Sequence, residues 1–343
     1  MTESFPVPNA PLSDASGLHR SGPHPHGPKE GTGASDHDLA ALLAEAWRIS
    51  RERHGNLLSV HTTGMFVVNG NRGGYRAVSI TGEDCALDCE HCKGSLLKTM
   101  PHAADPQSLL RFGREAEERG DHGVLVTGGC DDMGRLPWKS FLPAIRTLKN
   151  STSLIVTVHA GQTDAETALA LKEAGVDQAL VDVVGDEQTA TQVYHLPGGT
   201  ATIRKTMESL AAAEVEIVPH ILFGIHYGRR KGETAALGML KDYPVRKYVV
   251  VVLMPARGTP MATAKPPEPE SVAAFLAEAR LALPDSRACL GCARPRGHYR
   301  RRLDVLAIRA GIDALALPSE RGLEEARAAG LDIVHRQTCC SLG

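Results

Sequence analysis

Aromatic residues are scarce: Phe, Trp and Tyr make up 4% of the 343 residues, so a core must rest on Ala, Val, Leu and Ile. Charge of one sign is lacking too. A formal net charge of −2 gives no field to gather nucleic acid or an anionic membrane surface, and neither is expected as a partner. No apolar run approaches the ~20 residues that cross a bilayer. The first residues, Met1-Thr-Glu-Ser4, show neither the basic start nor the apolar stretch of a secretory signal, so the expected compartment is the cytoplasm. Eight cysteines in a long chain under reducing conditions point away from disulfides and toward metal or redox chemistry. The remaining composition, 42% hydrophobic and 23% charged, is that of an ordinary globular protein.

Three of those cysteines carry the most information. They stand in Thr81-Gly-Glu-Asp-Cys-Ala-Leu-Asp-Cys-Glu-His-Cys92, spaced C-x₃-C-x₂-C, directly after a strand-like run, Tyr75-Arg-Ala-Val-Ser-Ile80. Three thiolates (Cys85, Cys89 and Cys92) in one short loop suit a cubane iron–sulfur cluster whose fourth iron stays open to an exchangeable molecule. Structural zinc wants four ligands and closure. The competing reading is a zinc knuckle completed by His91 or by a distant residue.

Residues 1–36 are rich in Pro, Gly, Ser and His, as in Gly22-Pro-His-Pro-His-Gly-Pro28, and read as a disordered, solvated tail. Residues 37–74 read as a helical and loop extension, with an amphipathic helix over 38–53 capped by Asp36 or Asp38. Beyond that, β-branched runs alternate with Ala/Leu/Glu-rich stretches. Strands are expected over 76–80, 123–127, 153–159, 178–184, 214–221, 247–253, 287–289 and 314–317. Helices are expected over 106–119, 137–149, 164–174, 201–213, 232–241, 269–283, 301–310 and 319–329. Repeats of roughly 30 residues fit a parallel α/β fold, a (βα)₈ TIM-type barrel over 75–343. The alternative is a partial (βα)₆ barrel with the last two units as a cap. Barrel chemistry sits at the carboxyl ends of the strands, where the cysteine loop falls.

Several other residues qualify as site candidates. In Val126-Thr-Gly-Gly-Cys-Asp-Asp132, the bare backbone of Gly128 and Gly129 can approach a ligand, or can simply turn the chain. Cys130 reads as a small filler. Asp182 and Asp186, in Leu180-Val-Asp-Val-Val-Gly-Asp186, can accept hydrogen bonds from ribose hydroxyls, although Asp186 suits a helix cap equally. His220 is either a residue of the barrel mouth or a satisfied core histidine, and His226 reads as a loop residue. Arg257 is a carboxylate partner or a surface arginine.

A second cysteine set lies toward the carboxyl end. Cys289-Leu-Gly-Cys292 follows the seventh expected strand and should open at the top of the barrel, with Cys339 and Cys340 folding back onto it. Two plus one or two thiolates would hold an auxiliary iron–sulfur cluster inside or at the rim of the barrel; zinc and an incidental redox role stay open. Adjacent cysteines seldom both ligate one cluster. The basic run Arg294-Pro-Arg-Gly-His-Tyr-Arg-Arg-Arg302 is a solvated helix start or a grip on a carboxylate, a cluster or an acidic protein surface.

The cysteine loop resembles the signature of the radical S-adenosylmethionine enzymes. Together with Gly128-Gly129, Pro219-His220 through Gly232-Glu233, Gly258-Thr-Pro260 and the C-terminal Cys-x₂-Cys, it resembles their biotin-synthase-like group, from the strand before Cys85 to the final cysteines. The resemblance implies a 4Fe–4S cluster on Cys85, Cys89 and Cys92, its open iron chelated by S-adenosylmethionine. It implies that Gly128 and Gly129 bind the amino group of that cofactor through backbone, at a position where Cys130 replaces the group's acidic residue and Asp131 is the candidate substitute. It also implies that the strand end carrying Ile225 meets adenine and ribose. Within the group the chain looks most like one component of the two-protein lipoyl synthases; single-chain lipoyl synthases carry an amino-terminal cysteine motif, and no cysteine here precedes Cys85.

That likeness leads to an expected function. A 5′-deoxyadenosyl radical removes hydrogen from an unactivated carbon of an octanoyl chain on a lipoyl carrier domain, and the carbon radical takes sulfide from the auxiliary cluster. The implied partners are the carrier domain, a second radical S-adenosylmethionine protein and a low-potential electron donor. Two other functions compete: another reaction of the same group (biotin synthesis, a methylation or a carbon-skeleton rearrangement), and a non-catalytic iron–sulfur or zinc protein.

Overall fold

Short Val/Ile-rich runs separated by Ala-rich helices can bury both faces only as a parallel sheet with helices outside it. The computed structural model, which describes residues 36–64, 67, 68 and 71–342, has that form. The tail reading falls on residues outside this range, except Asp36, which opens the first helix.

In chain order the elements are α1 (Asp36–His54), β1 (Leu57–His61), the two-residue ribbon β2 (Val67–Val68) and β3 (Asn71–Arg72), then β4 (Tyr75–Ser79), α2 (Pro106–Glu118), β5 (Gly123–Thr127) and α3 (Trp138–Ser151). Next come β6 (Ile155–His159), α4 (Ala165–Glu173), β7 (Gln178–Asp182), α5 (Glu187–Gln192), α6 (Gly199–Ala212), β8 (Glu216–Phe223) and α7 (Glu233–Leu240). The chain finishes with β9 (Lys247–Val252), α8 (Pro269–Ala282), β10 (Arg287–Leu290), α9 (His298–Arg309), β11 (Ala314–Ala316), α10 (Glu320–Ala328), β12 (Asp332–Arg336) and a 3₁₀ turn, Cys340–Leu342.

All eight expected strands are present in one parallel sheet of order β12-β1-β11-β10-β9-β8-β7-β6-β5-β4. The difference lies at its end. β1, drawn from the segment read as an extension, inserts between β11 and β12, so the sheet is a ten-stranded half-barrel with β4 and β12 at its edges. Outward residues such as Val124, Val126, Val156 and Val158 join the helices in the main core. Inward residues, among them Leu180, Val218, Val249 and Val251, form a second apolar cluster inside the barrel.

Local chemistry sets the helix starts. Asp105, Asp164 and Ser319 each accept a hydrogen bond from the backbone N–H three residues on, at 2.9, 2.8 and 3.2 Å. Two fully buried ion pairs tie later units together: Arg280 with Asp313, and Arg294 with Asp304 at 2.9 Å. Arg294 also donates to the carbonyl of Gly291 at 2.6 Å and of Leu317 at 3.2 Å. The first arginine of the basic run is therefore a strut inside the fold, neither solvated nor free to grip a ligand. Among the described residues no helix is long and apolar enough to cross a membrane.

Candidate metal centre

The loop that follows β4 is wound into successive turns. The Cys92 and Lys93 amides donate to the Cys89 carbonyl at 3.2 and 2.9 Å, and the Ser95 amide donates to Cys92 at 2.8 Å. Asp88 and Lys93 both take φ of 46°, and the Lys93 ammonium stitches the bend by donating to the Asp88 carbonyl at 2.8 Å and to Glu90 at 3.0 Å. A second segment, between α5 and α6, clamps the loop from outside. The Glu90 amide donates to Val193 at 2.9 Å, and the Cys89 Sγ lies 3.4 Å from the Tyr194 carbonyl. His195 reaches the Leu87 carbonyl with Nδ1 at 2.7 Å and Glu90 with Nε2 at 3.2 Å. These ties hold the thiols in place before any metal arrives.

Gly129 supports the loop from below. A Cβ there would sit 1.9 Å from the Asp84 carbonyl oxygen and 2.5 Å from Cys85 Cβ, so only glycine lets the cysteine loop lie on this strand end. Its N–H is already taken by Thr81 Oγ1 at 2.7 Å. Ligand atoms of Cys89, Cys92 and His91 lie within 4.8 Å of one another. The Cys92 thiol is drawn well below its ordinary range by hydrogen bonds from Cys89 and His91, and Cys89 is raised in exchange. Thiolate is the ligating form. A cavity of about 320 Å³ opens beside Thr81, Asp84, Cys85, Gly129 and Cys130. Of the three loop cysteines Cys85 borders that cavity, which gives an exchangeable molecule room beside one thiol, while His91 stands with Cys89 and Cys92 as the zinc reading requires.

A smaller pocket of about 90 Å³ brings Gly128 and Asp182 together with Cys130, His159 and Tyr194. Ile225 is not in it; that side chain is buried beside Gly232 and Glu233, behind the β8 end. Asp131 is consumed by its own loop, accepting from the amides of Met133 at 2.9 Å and Arg135 at 2.8 Å and pairing with the Arg135 guanidinium at 3.1 Å. Cys130 is pushed up to about 12 by burial, as befits a filler. Asp186 caps α5 through the Thr189 amide at 2.7 Å, and His226 bonds Thr189 Oγ1 at 3.0 Å. His220 lies within β8 level with Asp182, its Nδ1 3.1 Å from the Val218 carbonyl and its ring 5.8 Å from that of His159. Burial lowers it to about 4. Arg257 is exposed.

The second cysteine set takes the interior one of the two placements expected for it. Cys289 is the third residue of β10, level with Val249 and Ala314, so it faces the interior instead of opening in a loop at the top. Cys340 joins it in the inner cluster, with Cys292 and Cys339 packed against that cluster. Burial pushes Cys292 up to about 11. The chain reaches this position because β12 runs parallel to β1 and then turns inward at Cys339.

No family model matches the chain. It is similar to the biotin synthase of Pelotomaculum thermopropionicum, 27% identical over 294 residues that cover 82% of this chain and 84% of that one. It is 26% identical over 213 residues to the biotin synthase of Syntrophotalea carbinolica, covering 59% of this chain and 62% of that one. In sequence the chain is thus similar to biotin synthases at 26–27% identity. Among solved structures its fold matches the FeFe-hydrogenase maturase HydG (TM-score 0.63, 18% identity, 83% of this chain and 62% of that one). It also matches methylornithine synthase, PylB (TM-score 0.60, 16% identity, 89% and 91%). A third match is Streptococcus suis SuiB bound to S-adenosylmethionine (TM-score 0.51, 11% identity, 72% and 58%).

Proposed function

We propose that this enzyme inserts sulfur at an unactivated carbon of an octanoyl chain held on a lipoyl carrier domain, working with a second radical S-adenosylmethionine protein and a low-potential electron donor. The observation that carries the reading is the second cysteine set, which gathers in and against the apolar cluster inside the barrel. When bound, a 4Fe–4S cluster with S-adenosylmethionine supplies a hydrogen-abstracting radical, and an auxiliary iron–sulfur cluster on the C-terminal cysteines supplies sulfide. The chain's own residues do the positioning. Residues 193–195 and Gly129 fix the cysteine loop, while Asp182 and Gly128 border the adjoining pocket. Leu180, Val218, Val249 and Val251 make an apolar inner wall that suits an alkyl chain and keeps water from a reactive carbon.

Biotin synthesis is the second reading, favoured by the names of the sequence relatives. One assay separates the two. Anaerobically reconstituted protein is given S-adenosylmethionine, reductant and either an octanoylated lipoyl domain, with and without the partner protein, or the desulfurised biotin precursor. Thiolated octanoyl product with loss of cluster sulfide supports the first reading, and turnover of the biotin precursor alone supports the second. Cleavage of S-adenosylmethionine without sulfide loss on any substrate refutes sulfur insertion.

A further inference from the structure

His61 ends β1 and is fully buried, although the segment that contains it reads as an extension. It is level with Ala316 of β11. Parallel partners in register share a face, and Ala316 lines the inner cluster with Cys289 and Cys340, so the imidazole points into the barrel. Its Nδ1 is 3.2 Å from Thr338 Oγ1, the residue before Cys339. Its Nε2 is buried with no hydrogen-bond partner.

A buried imidazole nitrogen without a partner is costly, and native structures keep such a group where something pairs with it. One ring nitrogen fixed by a hydrogen bond while the other is left free is the arrangement of a metal-binding histidine. The cysteines also leave a place to fill. Cys339 and Cys340 are adjacent, Cys340 lies in the inner cluster with Cys289, and Cys339 packs against that cluster. If one of that pair is spare, three thiolates remain and leave one position for a further donor.

We infer that His61 is that donor, its Nε2 completing a set of three cysteines and one histidine at the auxiliary centre. The inference rests on the reading that the C-terminal cysteines hold an iron–sulfur cluster. Among the described residues only Cys89, His91 and Cys92 meet within 4.8 Å, so loading the second centre draws His61 and the C-terminal turn together.

The test uses the full chain carrying Cys85→Ala, Cys89→Ala and Cys92→Ala, so that only the second centre can form. The protein is labelled with ¹⁵N-histidine, reconstituted with iron and sulfide, reduced and measured by pulsed EPR. The expected result is a nitrogen coupling that changes on labelling, vanishes in His61→Ala and persists in Ser341→Ala. His61→Cys should keep its iron, lose the coupling and titrate at a lower potential, because thiolate in place of imidazole favours the oxidised cluster. A cluster with no histidine coupling, or one whose coupling survives His61→Ala, overturns the ligand assignment alone. A triple variant that binds no iron, or binds only zinc, overturns the auxiliary cluster and the ligand assignment with it.

Discussion

Replacing Gly129 with alanine should empty the loop centre while leaving the second one intact. The added Cβ would lie 1.9 Å from the Asp84 carbonyl oxygen, 2.5 Å from Cys85 Cβ and 2.7 Å from Cys85 Cα. All three are atoms of the loop's rigid part, not the far end of a flexible side chain. To restore ordinary contact the loop must move by more than an ångström, whereas metal–ligand distances tolerate only about ±0.2 Å. Overpacking of this kind costs about 1–3 kcal/mol, which lowers the melting temperature but does not unfold a domain of this size. Gly128→Ala is the control, because its nearest neighbour would be Thr81 Oγ1 at 3.0 Å, a side chain able to give by a few tenths of an ångström. The assay is iron and acid-labile sulfide per chain after anaerobic reconstitution, with cleavage of S-adenosylmethionine measured in parallel. Gly129→Ala should lose about four irons and the cleavage activity, and Gly128→Ala should keep most of both. A Gly129→Ala protein that binds full iron and cleaves the cofactor at the wild-type rate refutes the steric argument.

Arg280→Met strands the Asp313 carboxylate in the core and should cost about 3–5 kcal/mol in urea unfolding, with Arg280→Met/Asp313→Leu recovering much of it; a loss below 1 kcal/mol contradicts the buried-pair assignment. His220, facing His159 and Asp182, stays neutral in the fold down to about pH 4, while the unfolded chain takes up its proton below about 6.5. The unfolded state therefore binds more protons in that window, so stability falls by about 3 kcal/mol from pH 7 to pH 4, and His220→Gln should flatten the slope by that amount in chemical denaturation. His195→Ala removes the ties to Leu87 and Glu90, and a chelator should then strip the loop cluster several-fold faster at unchanged helicity. An unaltered stripping rate would mean that the clamp contributes nothing.

Most of the alternation was readable because the strands from β4 to β9 carry β-branched residues and each expected strand is followed by its own helix. Gly123–Thr127 appears with the bounds its composition suggests, and the Asp105 and Asp164 caps sit where short acidic side chains before an Ala- or Leu-rich run would put them. The two strands of the main sheet that escaped reading lack those marks. β1, Leu-Leu-Ser-Val-His, has no helix after it and reads as a loop; β12, Asp-Ile-Val-His-Arg, is largely exposed and charged. α5 is six residues long, all polar but Ala190, and too short to show a helical period, so the clamp at 193–195 left no signal. The cysteine loop was legible from spacing alone. The depth of Cys289 was left between the interior and the rim, because one residue of strand length decides whether a side chain faces the interior or tops a loop.

These hidden elements explain how one chain can hold two cysteine sets with separate supports. The loop of Cys85, Cys89 and Cys92 is braced by Gly129 at the end of β5 and by residues 193–195, all in the first half of the sheet. The set of Cys289, Cys292, Cys339 and Cys340 depends on the opposite edge, where β12 pairs with β1 along five registered residues and delivers the C-terminal turn into the barrel. Damage on one side need not reach the other. A charge reversal on the exposed face of β12 should loosen the C-terminal cysteines and leave the loop clamp as it is, whereas Gly129→Ala does the opposite. Under the sulfur insertion proposed above, separate supports would have a mechanical use: a donor cluster could be dismantled and rebuilt while the loop of Cys85, Cys89 and Cys92 keeps its geometry.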